Sequence, residues 1–428
     1  MATLSAGKIV ATYLEEAAKS FESQRGMLDY VKVMSPDPAE MQNSSNSVLR
    51  RVNQQGASIA GFDLTGLETG LIQECYVAGL GTPDNAFVSL RADDLRDISY
   101  IRDQAVIDGE KRASVLNKAI TDSIRLTGSM FYRTNVTSGY DAISLAQAAM
   151  NKRQIRKSGR IMALNDSDLQ LYSKDLASRS NLVGQPEKTY QTGQLFKQIA
   201  GFESVIANSS LSALAGGTDP ATTVTGNQSF SPIPVGTVTA ATNTVVNADY
   251  RTATIPVAAS ASYNVGDRVN FANGGVTVKA VGRDDKTVTD EAMSFVIVSK
   301  PSGTSIEVWP KPIAADDPAL STLEKAYANI NTRILNAATV NRLNTDNSNQ
   351  PNIFWQKDSI EVFAGTMPVE KLAEWGGMKT ARERLTDDLY IYMLYDANIA
   401  SLQARWRMFV WYGVNNARPM DNGAFVSF

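Results

Sequence analysis

Between Pro83 and Pro186 the chain contains no proline, and inside that window Leu95, Ile98, Ala105, Leu116, Ile120 and Ile124 form an apolar stripe amid dense Asp, Arg and Lys. Proline breaks a helix interior by removing a donor and clashing with the preceding turn, so its absence leaves room for one long helix. The stripe predicts a mostly continuous helix from residue 91 to about 126, with Gly109 as its weak point and Gly128 as its stop. At 1.5 Å per residue such a helix runs on the order of 50 Å, beyond the usual globular range. It is long enough to be a spine against which other elements lean.

The flanking sequence predicts what leans on it. Ile9, Tyr13, Ala17 and Phe21 recur at helical spacing, with Glu15, Glu16 and Lys19 toward the other faces. Pro36 and Pro38 then end regular structure. Residues 41–81 are polar and punctuated by glycine, and the alternation at 48–52 suggests a long two-stranded excursion. A loop of that length without its own core is usually functional or reaches onto something else. From Thr222 to Pro312 the chain turns rich in Thr, Val, Ala and Ser, with alternating runs at 253–257, 268–271, 276–281, 295–298 and 306–309. Turn residues at 264–266, 273–275, 284–286 and 301–303 separate them, the pattern of a small β-barrel or sandwich. Helical character on both sides makes this block an insertion in an α+β host. Ser321 and Glu324 form a capping box, and Trp355, Trp375, Trp406 and Trp411 crowd a closing segment that completes a core.

Catalytic chemistry is hard to build from this composition. The chain has no histidine, the commonest general base and metal ligand, which removes Ser-His-Asp, Cys-His and the usual zinc arrangements. Its single cysteine, Cys75, excludes an internal disulfide and reads as a small buried hydrophobe. Net charge is −3, far from the positive excess of free nucleic-acid binders. No run approaches a membrane span, and the first ten residues lack the layout of a secretory signal. Neither a phosphate-cradling glycine loop nor a dinucleotide fingerprint occurs, so no cofactor is expected. Ser5 and Lys8 match a serine acyl-enzyme spacing without its companion motifs. Asp93, Asp94 and Asp97 read as first-turn charges of the long helix, interleaved with Arg91 and Arg96, rather than a metal site. Asp316 and Asp317 precede a proline and read as a cap or turn.

A family resemblance is carried by collinear stretches: Met41-Gln-Asn-Ser-Ser-Asn46, Gly61-Phe-Asp-Leu-Thr65, Pro83-Asp-Asn-Ala-Phe87 and Leu90-Arg-Ala-Asp-Asp-Leu-Arg-Asp97. It continues in Gln198-Ile-Ala-Gly-Phe202, Gln228-Ser-Phe230, Pro310-Lys-Pro312, Ala326-Tyr-Ala-Asn329, Trp411-Tyr-Gly-Val414 and Arg418-Pro419. In these the chain resembles the coat proteins of P-twenty-two-type short-tailed phages. The resemblance implies an α+β, HK-ninety-seven-like capsid fold carrying an inserted small all-β barrel.

On that plan residues 1–40 are an N-terminal arm and 41–88 an E-loop. Residues 89–221 hold the spine helix of a P-domain and the first part of an A-domain, 222–346 an I-domain, and 347–428 the remainder of both. The implied function is a major capsid protein. Pentamers and hexamers close into an icosahedral procapsid around a scaffolding protein and expand as double-stranded DNA enters through a portal protein. The DNA lies nearby without sequence-specific binding, and no membrane is involved. Glu15 and Glu16 offer a negative patch for a basic scaffold segment, and Arg50, Arg51 and Asp63 are intersubunit candidates on the E-loop. Thr237, Asn243, Asn247, Asp249 and Arg251 belong to a nearly uncharged loop that reaches the next capsomer. An encapsulin-like compartment shell and a carboxylate-dependent hydrolase are the alternatives.

Overall fold

The proline-free window does hold a long helix, Ile98–Thr127, in the computed structural model of the chain. The structure describes residues 6–35, 47–54, 61–62, 73–91, 94–134, 139–178, 198–214, 216–232, 249, 251–345, 350–385, 388–398 and 403–427. The helix spans 30 residues, about 45 Å. It starts at Ile98 and not at Arg91, because Asp84–Arg91 is a strand paired along its length with Gln403–Val410 and Asp94–Arg96 is a 3-10 turn. Asp97 caps the helix, its Oδ1 accepting from the Ser99 and Tyr100 amides at 2.9 and 3.4 Å. Asp94 accepts from the Arg91 amide at 3.2 Å; Asp93 lies outside the described residues. At the other end Thr127 is the last helical residue, and the Gly128 amide still donates to the Ile124 carbonyl at 2.9 Å.

Two units share the chain, each assembled from segments far apart in sequence. The first comprises Met1–Val48, Ala78–Thr121 and Ile360–Asn415. Its antiparallel sheet runs Lys379–Arg384, Tyr390–Asn398, Gln403–Val410, Asp84–Arg91. The N-terminal helix, Ala6–Gln24, buries Tyr13, Ala17 and Phe21, as its spacing predicts. Lys32–Met34 pairs in parallel with Ile360–Ala364. Of the closing tryptophans here, Trp406 is buried and Trp411 donates from Nε1 to the Gly81 carbonyl at 2.7 Å; the Trp375 side chain lies outside the described ones.

The second unit comprises Leu49–Val77, Asp122–Ser359 and Asn416–Phe428. Its mixed sheet runs Met130–Thr134, Asn422–Ser427, Asn352–Gln356, Arg160–Leu164, Ser204–Ala207. Two of its inner strands, Asn352–Gln356 and Arg160–Leu164, are buried at every position, so the sheet is covered on both faces. Ile143 and Met150 of helix Gly139–Lys152 and Tyr172 of helix Asp166–Ser178 pack with Met162, Phe354 and Phe425 in its core.

The β-rich block forms a seven-stranded sheet, six strands running in the order Thr222–Thr223, Thr339–Arg342, Arg268–Asn273, Phe295–Ser302, Ser305–Trp309, Ala253–Pro256 and the seventh, Val276–Thr277, pairing with Arg268–Asn273 off that path. A bridge between Val224 and Val257, with Thr225 N to Pro256 O and Ala258 N to Thr223 O at 2.9 Å, joins its two ends into a barrel. Closure abolishes the exposed strand edge. Ile255, Phe271, Phe295, Ile306, Val308 and Val340 fill the interior, with Phe271 edge-on to Phe295 at 5.3 Å. Gly274 and Gly275 both take positive φ, 56° and 87°, between Arg268–Asn273 and Val276–Thr277. That is the two-residue turn whose twist matches a hairpin. The Ser321–Glu324 capping box closes as predicted, although its helix is only Thr322–Lys325.

Candidate functional site

No cluster of three or more carboxylate or thiolate ligands that could hold a metal occurs among the described residues. Asp316 and Asp317 are turn residues: Asp316 accepts from Thr332 Oγ1 at 2.7 Å and Arg333 N at 2.8 Å, and Asp317 from Ala319 N at 3.0 Å. Ser5 and the Cys75 side chain lie outside the described residues. No helix among the described residues is long and apolar enough to cross a membrane.

The N-terminal helix presents two different faces. Outward, Lys19 donates to Glu15 Oε1 at 2.7 Å, and this bond with the lysine charge holds the Glu15 carboxyl below its ordinary value. Glu16 is half-buried. The expected negative patch is therefore one exposed carboxylate already bonded to a lysine beside one half-buried carboxylate. Inward, the Tyr13 hydroxyl donates to Asp108 and its ring meets Trp406 edge-on at 5.4 Å. Burial, reinforced by Asp108, pushes the Tyr13 hydroxyl far above its usual pKa. Ser20 Oγ donates to the Val106 carbonyl at 2.9 Å. Gly109 lies against Ala17 so closely that a Cβ would overlap the Ala17 carbonyl oxygen. The predicted weak point of the long helix is thus a point of tight packing against the N-terminal helix, a role that helix propensity does not reveal.

The excursion is two-stranded, Ser47–Gln54 with Gln73–Gly79. Arg50 is half-buried; the Arg51 side chain and all of Asp63 lie outside the described residues. Phe62, next to Asp63, is fully exposed. The sequence points to the charged residues, while the exposed large side chain next to them is this aromatic. Its one signal was membership of the Gly61–Thr65 motif.

Of the proposed bridging loop, Thr237, Asn243 and Asn247 lie outside the described residues. Asp249 is half-buried and Arg251 is 5% exposed, so Arg251 is no loop-surface residue. Its guanidinium sits over the rings of Tyr76 and Trp309, 4.0 and 4.6 Å from their centroids. It donates to both Asp249 carboxylate oxygens at 2.9 and 2.7 Å, and to the carbonyls of Asn416 and Ala417 at 2.6 and 2.8 Å. A planar fork is what such a set of acceptors requires. Arg251 therefore anchors the base of this segment to the barrel strand Ser305–Trp309 and to the Asn416–Ala417 carbonyls.

A family model for the P22 coat protein, gene protein 5, matches residues 1–426. Among solved structures, the capsid of cyanophage P-SCSP1u is similar at 10% identity over 93% of this chain and 86% of that one, with a TM-score of 0.45. The mature capsid of bacteriophage PhiM1 matches at 10% identity over 93% and 85%, with a TM-score of 0.44. A virus-like particle from Pyrococcus furiosus matches at 8% identity over 96% and 99%, with a TM-score of 0.34.

Proposed function

The chain belongs to the P22 coat protein family, a family of virion shell proteins and not of enzymes, and from that premise we propose how it assembles. Pentamers and hexamers of the chain build an icosahedral procapsid on the HK-ninety-seven-like plan, around a scaffolding protein. The shell expands as double-stranded DNA enters through a portal. The single observation that carries this reading is a family match running from residue 1 to residue 426.

Several features fit the roles. A shell subunit needs projecting elements that exchange surface between copies, and the Ser47–Gln54 hairpin with exposed Phe62 suits an E-loop lying over an adjacent subunit. Expansion needs elements that move without unfolding. The closed barrel has its own core and suits an inserted domain, residues 222–346, that stabilises the subunit. The Glu15–Glu16 face of a helix fixed on its other side suits a weak, salt-sensitive scaffold contact.

Electron microscopy of the chain expressed with and without its scaffolding partner tests the proposal. Closed shells of uniform size are expected only with scaffold, and open or irregular assemblies without it. Closed, uniform shells in both cases would remove the scaffold from the scheme, and no assembly in either would remove the shell.

A further inference from the structure

The antiparallel sheet of the first unit has two edges, and they are unequally guarded. Lys379–Arg384 carries four charged side chains in six residues, the usual protection of an edge strand. Asp84–Arg91 ends the sheet on the other side, and no described strand pairs with its outer edge. From Asn85 to Leu90 it carries no charge, and Phe87 in its middle is 68% exposed.

In an antiparallel ladder successive residues turn their N–H and C=O alternately toward and away from the partner strand. Two side-chain bonds mark which residues face outward here. Arg112 Nη1 donates to the Asn85 carbonyl at 2.8 Å, and the Arg91 amide donates to Asp94 Oδ2 at 3.2 Å. Phe87 and Ser89 share that alternation, so their backbone groups also point away from Gln403–Val410. Both residues are exposed, and on that side their amides and carbonyls have no partner among the described residues. The chain's own side chains thus close the edge at Asn85 and at Arg91 and leave a short window between them.

The window is complementary to itself. A two-fold axis through Val88 sets Phe87 opposite Ser89 of a second copy, and Ser89 opposite that copy's Phe87. All the open N–H and C=O groups of these residues are then paired, and the ladder stops where Asn85 and Arg91 are already engaged. The two Phe87 rings come to lie diagonally across the seam on one face of the joined sheet, within aromatic reach of each other. We propose that two copies of the chain join edge to edge here, by antiparallel pairing of residues 87–89 about a two-fold at Val88. The proposal rests on the shell reading, in which many copies meet, and names one contact by which they do so. Its isologous form needs only one surface per copy, and its few bonds make it weak and reversible.

Val88→Cys tests the pairing. The two Val88 residues form the close, non-hydrogen-bonded pair of the ladder, with Cα atoms about 4.5 Å apart, inside the range that a disulfide spans. The full-length variant, assembled and unassembled, is oxidised with diamide, which takes up two electrons and two protons for each disulfide formed. A dimer linked from position 88 to position 88, read by peptide mass spectrometry, is expected in the assemblies. Asn85→Cys, which lies about 20 Å from its mate in that register, should give none. Wild type, whose single cysteine is Cys75, sets the background. Phe87→Lys puts a charge on the open edge and should lower the heat resistance of the assemblies while leaving the melt of the unassembled chain unchanged. Closed shells without the 88–88 dimer overturn the pairing and leave the shell reading standing; the dimer without shells does the reverse. Equal dimer yields from Val88→Cys and Asn85→Cys overturn the pairing, as does unchanged heat resistance in Phe87→Lys.

Discussion

Gly109→Ala separates two explanations of one residue by the sign of its effect. Were Gly109 a weak point of the long helix, alanine would stabilise it by about 1 kcal/mol. The structure predicts a loss. The new Cβ would overlap the Ala17 carbonyl oxygen and stand 3.0 Å from Ser20 Cβ and 3.1 Å from the Ala17 carbonyl carbon. The nearest atom is backbone, so no side-chain rotation relieves the contact and the N-terminal helix must shift as a body. That shift pulls on the Tyr13–Asp108 and Ser20–Val106 hydrogen bonds and the Tyr13–Trp406 ring contact, which all lie on the same face. Overpacking costs about 1–3 kcal/mol and a disturbed hydrogen bond about 1 kcal/mol. Set against the propensity gain, the net loss is about 2 kcal/mol, or about 4–8 °C for a unit of about 150 residues. Melts of the unassembled chain at matched scan rate, followed by circular dichroism, read it directly. Glu110→Ala, an exposed neighbour on the same helix, is the control and should stay within about 0.5 kcal/mol. A Gly109→Ala chain melting at or above wild type would refute the packing argument.

Arg251→Ala should cost about 3–5 kcal/mol in urea unfolding, because it strands Asp249 and two carbonyls as well as removing the stack, and Arg251→Lys should recover little of it. A loss under about 1 kcal/mol would mean that the anchor is idle. Residues 222–346 expressed alone should give a dispersed amide spectrum and a cooperative melt, and a collapsed, non-cooperative fragment would deny the barrel its independence. Reversing Glu15 and Glu16 together should lower scaffold content in assembled particles, most at low salt; unchanged content would end their assignment as a scaffold contact. The Glu15 carboxyl lies below its unfolded value, so the Lys19 bond helps above that value and fades as pH falls through the lower, folded one. The difference between wild type and Lys19→Gln should accordingly be present at neutral pH and vanish in acid, and a difference that persists in acid would give Lys19 another role.

Features with a local signal were legible. The N-terminal helix, the capping box at Ser321, the paired glycines at 274 and 275 and most barrel strands each follow from residues within one or two turns of chain. What failed to show was whatever depends on a distant partner. Leu95 continues the apolar stripe, yet the helix starts later because the residues before it take partners in Gln403–Val410, more than three hundred positions on. Thr222–Thr223 and Thr339–Arg342 were missed because they are short and mostly polar, and become strands only when the barrel closes through them. Charged residues read as surface because they usually are. Arg251 and Arg268 break that expectation for a common reason. Arg268, which reads as an ordinary strand residue, is fully buried and donates to the Arg125 and Leu126 carbonyls, a cation where the long helix ends and its dipole is negative. Burial lowers its pKa, and those carbonyls return part of the lost solvation. Each arginine is held by acceptors from segments that sequence separates by a hundred residues or more. In a chain whose units interleave three segments apiece, nearness along the sequence is a poor guide to nearness in space, so a buried anchor and a surface charge look alike until the fold brings their partners in.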